Sequence, residues 1–326
     1  MSPLVTAENL SRRFATRGFL FPSRPVQAVT DVSLSLARGE TVALVGESGS
    51  GKSTLGRLLL GLLPPSRGQV WFDGIDLARA GPAQRRQLRQ RMQIVFQDPH
   101  SSLDPRRPIG AQIGDGLAIH RLVPPTLRRA RVAELLAQVG LPAENADRYP
   151  HAFSGGQRQR IAIARALATE PAFLVADEPV SALDVSVQAQ VLALLADLRA
   201  RLGLALLFIS HDLAVVRSLC DRVVVLYLGR VMESGPVASV FAAPRHPYTQ
   251  ALLSAAPSLD AARRRTRILL PGDPPSPADP PSGCVFRTRC AMAVAACAAA
   301  VPALGPVGPE HAVACIRVDP GNPPSA

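Results

Sequence analysis

The sequence predicts an α/β layer fold, and three observations carry the prediction. Five short apolar runs, "TVALVG" (41–46), "MQIVFQ" (92–97), "AFLVADE" (172–178), "LALLFIS" (204–210) and "RVVVLYLG" (222–229), read as strands. Four stretches with helical patterning lie among them: 52–63, 126–140, 155–169 and 185–203. Strands separated by helices form layers, with helices packed on a sheet. Several of the runs are almost wholly apolar, the pattern of strands covered on both faces.

Taken in order, the run 41–46 feeds directly into "KSTLGRLLLGLL" (52–63), where leucines recur at helical spacing. Residues 99–165 are mostly helical in pattern, interrupt the strand series and predict a helical subdomain. Strand and helix patterns then alternate to about residue 258. Beyond it the texture changes: "PGDPPSPADPPSG" (271–283) is a proline-rich linker with no prospect of regular structure. The expected organisation is one domain over 1–258, followed by an extension over 259–326 that carries a four-cysteine tail. No internal repeat is visible.

The length of 326 residues and a 47% hydrophobic content suffice for a sizeable core. The net charge of +11 favours acidic partners such as nucleotide, anionic headgroups or nucleic acid. The arginines are scattered, however, as a GC-rich coding bias alone would leave them, and no nucleic-acid face is expected. No signal-peptide h-region follows the N-terminus. The uncharged stretch 290–309 is long enough to span a bilayer, but Pro302, Gly305, Pro306, Gly308 and Pro309 break it.

"GESGSGKST" (46–54) fits G-x-x-x-x-G-K-[ST], between a strand and a helix. Glycines Gly46, Gly49 and Gly51 let the backbone of Glu47, Ser48 and Ser50 wrap an anion with its N–H groups turned inward. The following helix adds its positive N-terminal end. In this motif Lys52 bridges the β- and γ-phosphates, Ser53 holds Mg2+ and Thr54 reaches the α-phosphate. Lys52 is the chain's single lysine among 36 basic residues. A compact ammonium fits such a cradle where a planar guanidinium does not.

Downstream, "AFLVADEP" places Asp177 and Glu178 at a strand end, where Asp177 suits Mg2+ and Glu178 suits a general base or a water-orienting group. About twenty residues earlier, "FSGGQRQR" (153–160) opens a helix with Ser154, Gly155 and Gly156 at its start, a second anion site. This segment resembles the signature sequence of the ATP-binding cassette (ABC) family. The resemblance extends to Gln97 in "VFQDP" as the Q-loop, "SALD" (181–184) with Asp184 as the D-loop, and His211 in "FISHD" as the switch histidine. It implies a cassette with a RecA-like core, an antiparallel β edge and a helical subdomain, which binds ATP and Mg2+ and hydrolyses ATP. It also implies that the signature meets the γ-phosphate of ATP held by a second cassette, with Gln157 near the nucleotide sugar. An aromatic ahead of the phosphate loop is expected to stack on adenine. Phe14 is the candidate, with Phe19 and Phe21 as competitors.

"VFQDPHSSLDPR" (95–106), "RHPYTQALLSAAP" (245–257) and the cysteine tail together resemble the ATPase subunits of oligopeptide, dipeptide and nickel importers. That resemblance implies a second ATPase subunit, with a heterodimer favoured over a homodimer, two membrane-spanning permease subunits and, indirectly, a solute-binding protein. It implies a peripheral place on the cytoplasmic face of the membrane. A nickel or other small-solute importer of the same family is the near alternative. A soluble nucleic-acid-associated ABC ATPase is the alternative from another class.

Cys284, Cys290, Cys297 and Cys315 cluster with spacing C-x5-C-x6-C-x17-C, whereas Cys220 reads as a buried small residue. Four thiolates match the ligand count of a [4Fe–4S] cluster but not the ferredoxin spacing. Zinc sites show tighter C-x2–4-C pairs and rank behind it. Reduced, unliganded thiols remain the third reading.

Overall fold

A computed structural model describes residues 3–15, 25–98, 102–256 and 267–318. The packing divides the chain into two compact units, one drawing on 1–4, 36–40 and 72–209, the other on 5–35, 41–71 and 210–326.

In the first unit, strands β6 (Met92–Val95), β7 (Phe173–Asp177) and β8 (Ala205–Ile209) run parallel, with Met92 opposite Phe173 and Phe173 opposite Ala205. Every residue of β7 and β8 is buried, as their sequences, apolar but for Asp177, favour. Helix α2 (Pro82–Arg91) leads into β6, and the short strand β5 (Ile75–Asp76) precedes it. The stretch expected to be helical holds α3 (Ile109–Ile119), α4 (Arg128–Gln138) and α5 (Gly155–Leu167). Ile109, Ile113 and Leu117 of α3 and Val132, Leu135 and Leu136 of α4 face inward at spacings of three and four. Helix α6 (Val185–Leu202) buries only Val191, Leu195 and Leu198, and ends at Gly203 in the left-handed conformation that favours glycine.

In the second unit, β1 (Val5–Phe14), β2 (Val26–Leu36) and β4 (Arg67–Phe72) are neighbours in a small sheet, in the order β2-β1-β4. Strand β3 (Thr41–Val45) pairs in parallel with β9 (Arg222–Tyr227), and β9 pairs antiparallel with β10 (Arg230–Pro236). Helices α1 (Lys52–Leu59), α7 (Leu213–Leu219), α8 (Val237–Ala242) and α9 (Pro247–Ala255) complete the unit. The tail joins the same sheet: β12 (His311–Val313) pairs antiparallel with β10, and β11 (Gly305–Gly308) with β12. His311 Nε2 lies 2.8 Å from Oε1 of the wholly buried Glu233, whose carboxylate also accepts the Arg245 and His246 N–H groups. The proline-rich stretch 271–283 holds neither helix nor strand. Among the described residues no helix is long and apolar enough to cross a membrane.

Candidate nucleotide site

The phosphate loop bridges β3 and α1, and two of its glycines, Gly46 and Gly51, are sterically obligatory. Gly46 has φ 149°, and a Cβ there would lie 2.1 Å from Leu226 O. Gly51 has φ 99°, and a Cβ there would lie 2.1 Å from Ala28 O on β2. No L side chain fits at either point. The loop is tied to the sheet where Gly229 N–H donates to Ser50 O at 2.9 Å. Lys52 is 6% exposed and turns back over the loop, donating to Gly46 O (2.8 Å), Glu47 O (2.9 Å) and Ser50 Oγ (3.4 Å). Its ammonium thus already stands over the loop backbone. Ser53 and Thr54 are half-buried in the first turn of α1.

In the first unit, Asp177 is buried at the end of β7 and Glu178 follows with φ 47°, a left-handed conformation uncommon outside glycine. Glu178 N–H donates to Ile209 O at 3.0 Å. Gln97 Nε2 donates to Glu178 Oε2 at 2.9 Å, so two motifs 81 residues apart meet side chain to side chain. Ser154 caps α5 in a reciprocal box: Gln157 N–H donates to Ser154 Oγ (3.3 Å), and Ser154 N–H to Gln157 Oε1 (3.0 Å). Gln157, expected near the sugar, uses its carboxamide for this cap. Gly155 and Gly156 follow, with Gly156 buried against Val187 of α6. Asp184 sits exposed at the N-cap of α6.

In the second unit, His211 is exposed just ahead of α7, whose first N–H groups donate to Asp212. Phe14 is half-buried, and the Arg12 guanidinium lies 4.8 Å from its ring centroid. Phe19 and Phe21 lie outside the described residues.

Two contacts to the loop escaped the motif reading. Glu47 N–H donates to Tyr248 Oη at 2.8 Å, and Arg289 Nη1 donates to Glu47 Oε2 at 2.8 Å. The "HPYT" segment stands out in the sequence, but nothing local links Tyr248 to a residue 201 positions away. Burial pushes His246 down to about 4, so its neutral Nδ1 accepts the Tyr248 N–H and caps α9.

Cys284, Cys290, Cys297 and Cys315 line one small cavity beside Phe286. Burial raises the thiol pKa of Cys284, Cys290 and Cys315 above the ordinary range. The expectation of a metal site finds no support in this arrangement. Among the described residues no group of three or more His, Cys, Asp or Glu is placed to hold a metal ion. The thiols ring a cavity, whereas a zinc ion needs its sulfurs at about 2.3 Å from one centre.

Residues 29–181 match the family model of ABC transporters, and residues 232–297 match that of the oligopeptide/dipeptide transporter C-terminal region. The chain is 55% identical to a putative peptide import ATP-binding protein of Brucella ovis, over 97% of this chain and 98% of that one. It is 49% identical to the dipeptide transport ATP-binding protein DppF of Escherichia coli K12, over 97% of this chain and 95% of that one. Two solved cassettes superpose with a TM-score of 0.63. CbiO1 of Clostridium perfringens is 30% identical, over 74% of this chain and 92% of that one. MJ0796, solved as a dimer bound to ADP and Pi after hydrolysis, is 29% identical, over 72% of this chain and 98% of that one. A phosphate loop shaped by glycines at 46 and 51, a capped signature helix and similarity along almost the whole length converge: the chain belongs to the ABC transporter ATPases, in the branch that carries the oligopeptide/dipeptide C-terminal region.

Proposed function

We propose that this chain is the ATP-hydrolysing, energy-coupling subunit of an importer for di- or oligopeptides. The observation that carries the reading is the joining of a cassette to the oligopeptide/dipeptide C-terminal region in one chain, with 49% identity to a dipeptide transport protein across nearly its full length. The domain reading is a cassette over 1–258 and a transporter-specific extension over 259–326. The chain works as one of two cassettes, with a heterodimer favoured, on two permease subunits fed by a solute-binding protein. Its place is the cytoplasmic face of the membrane. No nucleic acid takes part.

The roles follow from the chemistry of the side chains. Loop N–H groups 46–54 and Lys52 bind the phosphates, and the Lys52 ammonium leaves carbonyl acceptors to do so. Ser53, Gln97 and Asp177 supply the oxygens suited to Mg2+, which when bound offsets charge on the transferred phosphoryl group. Glu178 takes the proton of the attacking water, and Gln97, already donating to its carboxylate, orients it. His211 faces the γ-phosphate, Phe14 the adenine, Gln157 the nucleotide sugar, and Asp184 contributes from the D-loop. Ser154, Gly155 and Gly156 present the second anion site to nucleotide on the other cassette. Glu178→Gln should keep ATP affinity, lower hydrolysis by about 10²–10⁴-fold and trap a closed cassette pair. A variant that stays monomeric with ATP and its partner on size-exclusion chromatography contradicts the reading.

A second reading concerns the tail. We propose that Cys284, Cys290, Cys297 and Cys315 hold a [4Fe–4S] cluster, with zinc as the weaker alternative. Four thiols around one cavity match a cluster's ligand number. Anaerobic purification of the full chain should give about four irons per chain and visible absorbance. A folded tail free of iron and zinc would sink the idea.

A further inference from the structure

The phosphate loop is held from behind by side chains that belong to none of its motifs. Glu47 gives its N–H to Tyr248 on α9, and its carboxylate accepts from Arg289 in the tail. These partners lie 201 and 242 residues further along the chain. The contact is shielded: the side chain of Arg289 is 8% exposed, that of Glu47 27%, and Tyr248 is wholly buried. Arg289 is itself fixed, donating through Nε to Pro271 O (3.3 Å) and through Nη1 to Tyr227 Oη (3.5 Å). Behind it, Phe286 packs edge-on to Tyr227 at 5.2 Å between centroids and against Tyr248 at 5.3 Å. The C-terminal segment therefore supplies both the guanidinium and the aromatic wall that hold it.

We propose that Arg289 and Tyr248 are positioning residues for nucleotide binding, so that the folded C-terminal segment sets the affinity of the phosphate loop for ATP. Two physical effects act through Glu47. The first is shape. Glu47 has its N–H, its carboxylate and its carbonyl all engaged, the carbonyl by Lys52 Nζ at 2.9 Å. A loop fixed at this point holds its remaining N–H groups ready for phosphate, and the ordering entropy is spent before ligand arrives. The second is charge. A carboxylate in a phosphate-binding loop repels a triphosphate, and in a site shielded from water and salt that repulsion is poorly screened. Arg289 cancels it. The inference rests on the loop binding ATP, as the family assignment requires.

The test uses the full chain with its partner cassette and permeases, and reads equilibrium ATP·Mg binding together with KM and kcat. Arg289→Met should raise the Kd for ATP on the order of ten-fold, the size of one lost charge-assisted hydrogen bond. KM should rise with it, while kcat at saturation changes far less. Tyr248→Phe keeps the ring and removes only the acceptor, and should shift Kd in the same direction by less. Adding Glu47→Gln to Arg289→Met removes the stranded carboxylate and should recover much of the affinity, which a purely structural role for Arg289 would not produce. If Arg289→Met fails to fold by thermal melting, Tyr248→Phe decides alone. A Kd within about twofold of wild type in the foldable variants overturns the proposal, as does a double variant no better than Arg289→Met. Wild-type chain that fails to bind ATP instead overturns the nucleotide reading itself.

Discussion

Lys52 shows how far a single residue can be read. In a chain where 35 of 36 basic residues are arginine, its lysine marks a place where charge alone is not enough. The fold gives the reason: the ammonium is buried among two carbonyls and a hydroxyl of one tight loop. A guanidinium, planar and broad, cannot occupy that volume. Lys52→Arg should therefore lose ATP hydrolysis by about a hundredfold despite its conserved charge, as phosphate release would show. A near wild-type rate would refute the steric account. Glu47 is the contrary case at the same scale. It fills a variable motif position, and nothing near it in sequence announces Tyr248 or Arg289.

The signature helix α5 shows what can be read of an element. Ser154 with Gln157 three residues on spells a capping box, and the box forms. The need for glycine at 156 has a different origin. A Cβ there would stand 2.2 Å from Val187 Cγ1, on the helix that begins at Val185. Gly156→Ala should destabilise the protein by about 1–3 kcal/mol through overpacking, outweighing a helix-propensity gain of at most about 1 kcal/mol. Urea unfolding should show a lower midpoint, and Val187→Ala in the same chain should restore part of it. No recovery would mean that Val187 is not the obstacle. The elements themselves were readable because buried parallel strands β7 and β8 are apolar apart from the terminal Asp177, and the buried residues of α3 and α4 recur every three to four residues. The break of the predicted helix 126–140 into a 3-10 turn at Pro125–Leu127 and then α4 reflects the prolines at its start.

At the scale of the molecule, the tail is fastened to the sheet edge by a buried carboxylate. Glu233 accepts two backbone N–H groups next to α9 and faces His311 of β12. Glu233→Ala strands all three groups in the interior and should cost about 3–5 kcal/mol, measured as a fall in denaturant midpoint. A loss below about 1 kcal/mol would show that the pairing of β12 with β10 stands without it. The arginines matter less to stability. Pairs such as Arg129 with Asp147 and Arg201 with Asp197 are half or more exposed, and such pairs contribute at most about 1 kcal/mol each. The net charge of +11 therefore acts mainly on the protein's surroundings.

The sequence by itself determined the α/β class, the phosphate loop, the signature and the family. Each of these is written in local order: strand, turn and helix within a dozen residues, where backbone chemistry leaves few residue types admissible. Tertiary structure alone decided that Gln97 meets Glu178, that the four tail cysteines line one cavity, and that Tyr248 and Arg289 close on Glu47. Those contacts join positions 81 to 242 residues apart or gather a loop-rich tail. A hydrogen bond between side chains so far separated leaves no periodicity in the chain, because what selects it is the folded surface on which both partners come to lie.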